Sequence, residues 1–134
     1  MRPFSLKIVT PDGMAFEGQA ESLTVRTTTG DLGIMAGHTN LVAPLGQGRC
    51  TIVLDGKRRY AACIGGMVSV LDGVVTLIPT TFGWAEDIDT DRVERSYDRA
   101  QTILGNKDAS KTDLALAEAR LKRALVRKSV ASIK

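Results

Sequence analysis

The chain carries one histidine, two cysteines and few aromatic side chains, and each shortage closes off a class of chemistry. Cys50 and Cys63 do not form a CxxC pair and His38 has no second histidine to join, so no Cys/His metal cage is assigned. No nucleophile stands in a recognisable pattern with a base, so no catalytic residue is assigned either, and a small enzyme is disfavoured. No apolar run approaches the ~20 residues that a membrane-spanning helix needs. Met1-Arg2-Pro3 leads directly into FSLKIV without the apolar core of a signal peptide, so a cytosolic or membrane-peripheral protein is expected. In that setting both cysteines are expected as free, reduced thiols in a core, although a disulfide between them is conceivable.

What is present suffices for one ordinary core: 134 residues, 43% apolar and 25% charged, exclude disorder on composition. The net charge of +3 is modest but unevenly placed. Residues 1–85 hold seven basic and six acidic side chains, whereas residues 118–134 hold six basic ones against Glu118 alone. The C-terminus is therefore the basic end.

The first 80 or so residues repeat with period two. Phe4, Leu6 and Ile8 alternate with Ser5 and Lys7 ahead of a TPDG turn, and Leu23 and Val25 alternate with Ser22 and Thr24 ahead of TTTGD. Asp55-Gly56 separates CTIVL from KRRYAACI, and Asp72-Gly73 separates MVSVL from VVTLI. Asp-Gly between apolar runs favours a two-residue hairpin turn because both central positions want φ > 0. In the first hairpin this turn places Cys50 and Cys63 on one sheet face, offset diagonally. Short regular strands of this kind indicate an antiparallel β-sandwich or flattened barrel over residues 1–85.

From residue 86 the period becomes helical. Asp87, Asp89 and Asp91 crowd the start of a segment in which Val93, Tyr97, Ala100 and Leu104 recur every three or four residues, closed by Gly105-Asn106. Ser110 three residues ahead of Asp113 marks a second start, after which Leu114, Ala117, Leu121 and Ala124 follow at heptad-like spacing. A linker of about five residues fits an antiparallel two-helix hairpin over residues 86–134. The seam of the second helix is half alanine and much of each helix surface is polar, so the hairpin should pack thinly and be able to detach, unfold or rearrange. The fold class expected is β plus α, a sandwich followed by a helical hairpin.

The segment GDLGIMAGHTNLVAPLGQG at residues 30–48 resembles the glycine-and-histidine loop and following strand of the epsilon subunits of F-type ATP synthases, with Met35-Ala36 in place of a usual Leu-Pro. LKIVTPDGMAFEGQAESLTVRTTTGDLGI before it and GGMVSVLDGVVTLIPTTFGWAEDID after it are similar to that family in order and spacing. The resemblance runs from about residue 4 to the end of the chain. It implies a flattened ten-stranded β-sandwich on the central stalk, beside the gamma subunit and against the ring of c subunits. It implies a non-catalytic subunit at the cytoplasmic face of the cell membrane, held there through its complex. The C-terminal helices of this family either fold against the sandwich or extend toward the catalytic alpha and beta subunits, where basic side chains hinder ATP hydrolysis. Arg120, Lys122, Arg123 and Arg127 are the candidates for that inhibitory contact; a solvated face that complements the helix dipole accounts for the same residues.

Some members of the family bind ATP through a motif I/L-D-x-x-R-A. Ile88-Asp89-Thr90-Asp91-Arg92-Val93 matches its Ile, Asp and Arg and departs at Val93. The resemblance thus makes Ile88, Asp89, Arg92, Arg99, Arg123 and Arg127 candidate nucleotide ligands, with ATP a regulatory ligand rather than a required cofactor. Arg92 and Arg99 stand seven apart, Arg123 and Arg127 four apart, so each pair lies on one stripe of its helix and antiparallel packing can bring them toward one anion. Pairing at i,i+4, such as Asp91 with Arg95 and Glu118 with Lys122, offers an ordinary surface-charge account. Asp31 falls at a turn tip where family members meet the rotor ring, and His38 suits a hydrogen bond to its own turn or a partner subunit. The competing reading is a nucleic-acid-binding module built on the basic second helix, which the absence of aromatic stacking platforms in that helix opposes.

Overall fold

The computed structural model describes residues 2–133. The chain divides into two compact units, one ending at Trp84 and the other beginning at Ala85. The first holds eight strands: β1 (Phe4–Thr10), β2 (Gly13–Ala20), β3 (Ser22–Thr27), β4 (Gly30–Met35), β5 (Leu41–Pro44), β6 (Gln47–Leu54), β7 (Lys57–Leu71) and β8 (Val74–Trp84).

Phe4, Leu6 and Ile8 are buried while Ser5 and Lys7 are half-buried, and Leu23 and Val25 are buried between more exposed neighbours, as the period-two pattern requires. Both Asp-Gly turns form as expected. Asp55 and Gly56 have φ of +50° and +76°, Asp72 and Gly73 +48° and +82°, the pair of positive angles that suits the twist of a two-residue hairpin. Further tethers brace these turns: Glu21 Oε1 accepts from the Gly56 amide (2.6 Å), and Asn40 Oδ1 accepts from the Asp72 amide (2.9 Å).

Hydrogen bonding runs in the order β2-β1-β8-β7-β6-β3-β4, with β5 attached to β7 off this path. Two strands are long enough to serve both layers. Residues 57–64 of β7 pair with β6 and residues 67–70 with β5; β8 pairs with β1 over residues 74–77 and along its whole length with β7. One layer is therefore β2-β1-β8-β7-β5 and the other β8-β7-β6-β3-β4, a sandwich whose corner is turned by continuous strands. Their inner faces meet in one core, Leu6, Ile8, Val68, Val70, Val75 and Leu77 from the first layer and Leu23, Val25, Ile34, Cys50 and Ile52 from the second.

Three features depart from the sequence reading. Among the described residues there are eight strands rather than ten, because β7 and β8 each run unbroken through both layers. No ladder joins β2 to β4 among the described residues, so the sandwich is open and the flattened-barrel description does not apply. The pairing of β1 with β8 is parallel, Ser5 opposite Val74 through Ile8 opposite Leu77, within an otherwise antiparallel set. That contact joins segments about 70 residues apart, beyond the reach of local periodicity.

The corner lies at Gly65 and Gly66, with φ of +68° and +101°. A Cβ at Gly66 would sit 2.0 Å from the carbonyl oxygen of Ile78 on the facing strand, so no side chain fits there. Backbone hydrogen bonds tie the corner to the segment before β6: Leu45 N donates to Gly66 O and Gly65 N to Gly46 O.

Cys50 and Cys63 are both buried, free thiols. Cys50 lies opposite Ala61 and Cys63 opposite Gly48, the diagonal relation expected. Diagonal neighbours are about 7–8 Å apart, wider than a disulfide normally spans. Burial pushes the Cys63 thiol up to about 12 and raises that of Cys50 still further, so both remain protonated at neutral pH.

The second unit opens with a single 3-10 turn, Ala85–Asp87, followed by α1 (Thr90–Leu104) and α2 (Lys111–Ala131). Ser110 caps α2, its hydroxyl accepting from the Asp113 amide (3.0 Å), and Gly105 closes α1 with its amide on Gln101 O. Replacing Gly66 by alanine should destabilise the protein by more than about 4 kcal/mol or prevent folding. Gly73→Ala, at a turn where an added Cβ meets nothing within 4 Å, should lose only the ~1–2 kcal/mol of a left-handed residue; urea unfolding of the two variants measures the difference.

Candidate functional site

The positions buried most deeply along the seam between α1 and α2 carry small side chains. Val93 and Ala100 on α1 and Ala117 and Ala124 on α2 are buried, whereas Tyr97, Leu104, Leu114 and Leu121 are half-buried. The seven-residue spacing on each helix keeps the buried pair on one stripe. Alanine removes little apolar area from water, so this interface gains little for each turn of helix.

The candidate arginines flank that stripe. Arg123 and Arg127 are half-buried on α2 and Arg92 is exposed on α1. The guanidinium of Arg127 is held below its ordinary range, first by burial and then by the positive charges of Arg123 and Arg92. Those three cations thus converge, and among the described residues no carboxylate pairs with any of them. A cluster of like charges without a counter-charge has the electrostatics of an anion site, with planar forks suited to phosphate or carboxylate oxygens. Arg99, also exposed, lies seven residues further along α1, about 10 Å at the helical rise, and is not among the charges acting on Arg127.

Asp89 and Ile88 sit at the entry to α1. Asp89 is its N-cap, with Oδ1 accepting from the Arg92 amide at 3.1 Å. Ile88 is half-buried, and its amide donates to Ala85 O. Val93 is only 8% exposed, so the side chain that departs from the I/L-D-x-x-R-A pattern packs in the seam.

The remaining candidates are spread out. Arg120 and Lys122 are exposed, and Lys122 pairs with Glu118 one turn earlier at 3.5 Å, so the four basic candidates on α2 divide into an outward pair and a pair belonging to the cluster. Asp31 is the second residue of β4 and bridges to Arg26 on β3 at 2.8 Å. His38 follows the other end of β4; its Nδ1 donates to the Thr39 carbonyl (2.8 Å) and its amide to Met35 O (3.2 Å). Asp31 and His38 therefore stand at opposite ends of one strand and share no site.

One surface lies outside all of the candidates named from the sequence. Val42, Met67, Leu71, Val74 and Ile78 are exposed, and the register pairs Leu71 with Val74 and Met67 with Ile78 on the outer face of the first layer. The signal was present: in MVSVL and VVTLI both phases of the alternation are apolar, which a strand wet on one face does not need. Because Asp89 caps α1, Asp89→Ala should lower the helical unfolding midpoint through a loss of about 1 kcal/mol, while Asp89→Ser should preserve it; circular dichroism at 222 nm during thermal unfolding checks both.

The chain resembles proteins of one kind. A family model described as ATP synthase, Delta/Epsilon chain, beta-sandwich domain matches residues 3–85, and one described as ATP synthase, Delta/Epsilon chain, long alpha-helix domain matches residues 86–132. The ATP synthase epsilon chain of Ruminococcus albus is 42% identical over 100% of both chains, and that of Bacillus velezensis 39% identical over 98% of both. The nucleic-acid reading of α2 finds no support among these relatives. A chain in the Euglena gracilis mitochondrial ATP synthase structure, solved with OSCP, F1 and c-ring, shares the fold with a TM-score of 0.82 at 22% identity, covering 98% of this chain and 82% of that one. With both halves matched in order and full-length relatives at this identity, the chain belongs to the ATP synthase delta/epsilon family, as an epsilon subunit.

Proposed function

We propose that the chain is a non-catalytic rotor subunit whose sandwich joins the central stalk and whose helical hairpin restrains ATP hydrolysis. The observation that carries the regulatory half is a basic α2 held by an alanine-rich seam. Arg120 and Lys122 face outward from it, and little apolar burial opposes its release toward acidic surfaces of the alpha and beta subunits. The outer apolar face around Leu71, Val74 and Ile78 is the natural contact for the gamma subunit, since exposed apolar area of this kind marks association surfaces. Asp31, at the opposite end of β4 from His38, is assigned to the c-subunit ring, and His38 to the stalk. Solved relatives support the setting: the Euglena assembly includes a c-ring, and a Tetrahymena thermophila structure with TM-score 0.63 is of a central stalk and c-ring. Among the described residues no helix is long and apolar enough to cross a membrane. Attachment at the cytoplasmic face of the cell membrane would then run through the complex.

ATP is the regulatory ligand on this reading. Arg92, Arg123 and Arg127 would take the triphosphate oxygens. Asp89 would accept from the adenine amino group or ribose through the carboxylate lone pairs left free by capping, beside Ile88. Arg99 would contribute only at the far edge of the ligand.

Added to an epsilon-free catalytic complex, the full chain should lower ATPase activity, and a chain truncated after residue 85 should not; equal inhibition by both would remove the hairpin from the regulatory role. Calorimetric titration of the isolated protein with Mg-ATP should show binding that Arg92→Ala and Arg127→Ala each weaken at least about tenfold, the scale of a lost charge-assisted hydrogen bond. Absence of heat at millimolar nucleotide would leave the hairpin as an inhibitor without a nucleotide sensor.

A further inference from the structure

Two opposing electrostatic effects act across the same pair of helices. The positive charges of Arg92 on α1 and Arg123 on α2 both act on Arg127, and among the described residues no acid pairs with any of the three, which raises the free energy of the closed hairpin. One residue beyond Arg127, Lys128 crosses to α1. Its Nζ lies 3.0 Å from Glu94 Oε1 and 5.0 Å from the centre of the Tyr97 ring. The hydrogen bond and charge of Glu94 push the Lys128 amine above its ordinary range, with smaller contributions from Tyr97 and Asp98, so it stays charged wherever the hairpin is closed.

The position of this contact matters as much as its charge. The loop after Leu104 joins the helices at one end, so they can part first at the other, where α1 begins and α2 finishes. Lys128 and Glu94 stand at that open end. Beside them is a hollow of about 210 Å³ lined by Thr90, Val93, Glu94, Lys128, Ala131 and Ser132, so side chains fill the space between the helix ends incompletely. Thin packing and convergent arginines both favour parting there. An ion pair that is also stacked on an aromatic face opposes it.

We propose that Lys128, Glu94 and Tyr97 form a clasp that holds the open end of the hairpin shut against the repulsion of Arg92, Arg123 and Arg127. The closed state then needs no bound anion, and any change that neutralises Lys128 frees the last turns of α2. The clasp stands independently of the nucleotide reading, because none of its three residues belongs to the arginine cluster.

Amide hydrogen exchange of the full-length protein, without nucleotide and at low salt, tests it by following residues 120–133. Glu94→Gln alters only α1, yet it should speed exchange in the last turns of α2 about two- to fivefold, the range of a half-exposed ion pair. Lys128→Met should do the same, and the double variant should add little to either single one, because both remove one shared contact. Arg92→Met should slow exchange in the same turns. Raising the salt should shrink all of these differences. An α2 indifferent to Glu94→Gln, additive effects in the double variant, or faster exchange in Arg92→Met would each overturn the proposal.

Discussion

The close approach of Gly66 to the Ile78 carbonyl is the constraint on which the first unit depends. Only a residue without a Cβ lets β7 turn there while still paired to β8. The turn then decides everything downstream of it. The first half of β7 can pair with β6 and the second with β5, and β8 follows the same bend to reach β1. A straight β7 would extend one layer and leave Val68 and Val70 without the facing residues Leu23, Val25 and Ile52 that complete the core. Two layers drawn partly from the same strands also resist separation, since parting them would disrupt the ladders of shared strands and not merely side-chain packing.

The second unit obeys a different balance. Its helices are well specified singly: Asp89 and Ser110 cap them, and Gly105 ends the first. Their association is less strongly specified, because valines and alanines are the buried side chains of both helices while three guanidiniums converge beside the seam. Local structure is therefore encoded more firmly than the pairing of the helices. That ordering lets such a hairpin change partners without melting, since helices with their own caps can persist when their shared face opens.

Much of this was legible in the sequence, and where it was not, distance along the chain is the usual cause. Asp55-Gly56 and Asp72-Gly73 specify their turns by local backbone preference, and Ser110 with Asp113 specifies a cap, so all three formed as read. The parallel β1-β8 ladder and the merging of ten expected strands into eight depend on contacts between distant segments, for which no local signal exists. The site shows the same division. Spacings of seven and four put each arginine pair on one stripe, but only the relative stagger of α1 and α2 decides which arginines converge. It gathers Arg92, Arg123 and Arg127 and leaves Arg99 about two turns away. The apolar outer face was visible as a doubled alternation in MVSVL and VVTLI, yet an apolar residue in a strand is read by default as core.

The unpaired arginines also determine the sign of any coupling between ligand and shape. Three like charges brought together without an acid oppose closure, so an anion that binds them together removes a cost present only in the closed hairpin. By linkage such an anion must favour that state, whatever its identity. An acidic protein surface that engaged Arg123 and Arg127 from an open hairpin would draw on the same charges and favour the opposite state. The two kinds of acid thus compete through α2 even without touching each other. Arg120 and Lys122, turned outward in the closed hairpin, remain available to a protein surface in either state.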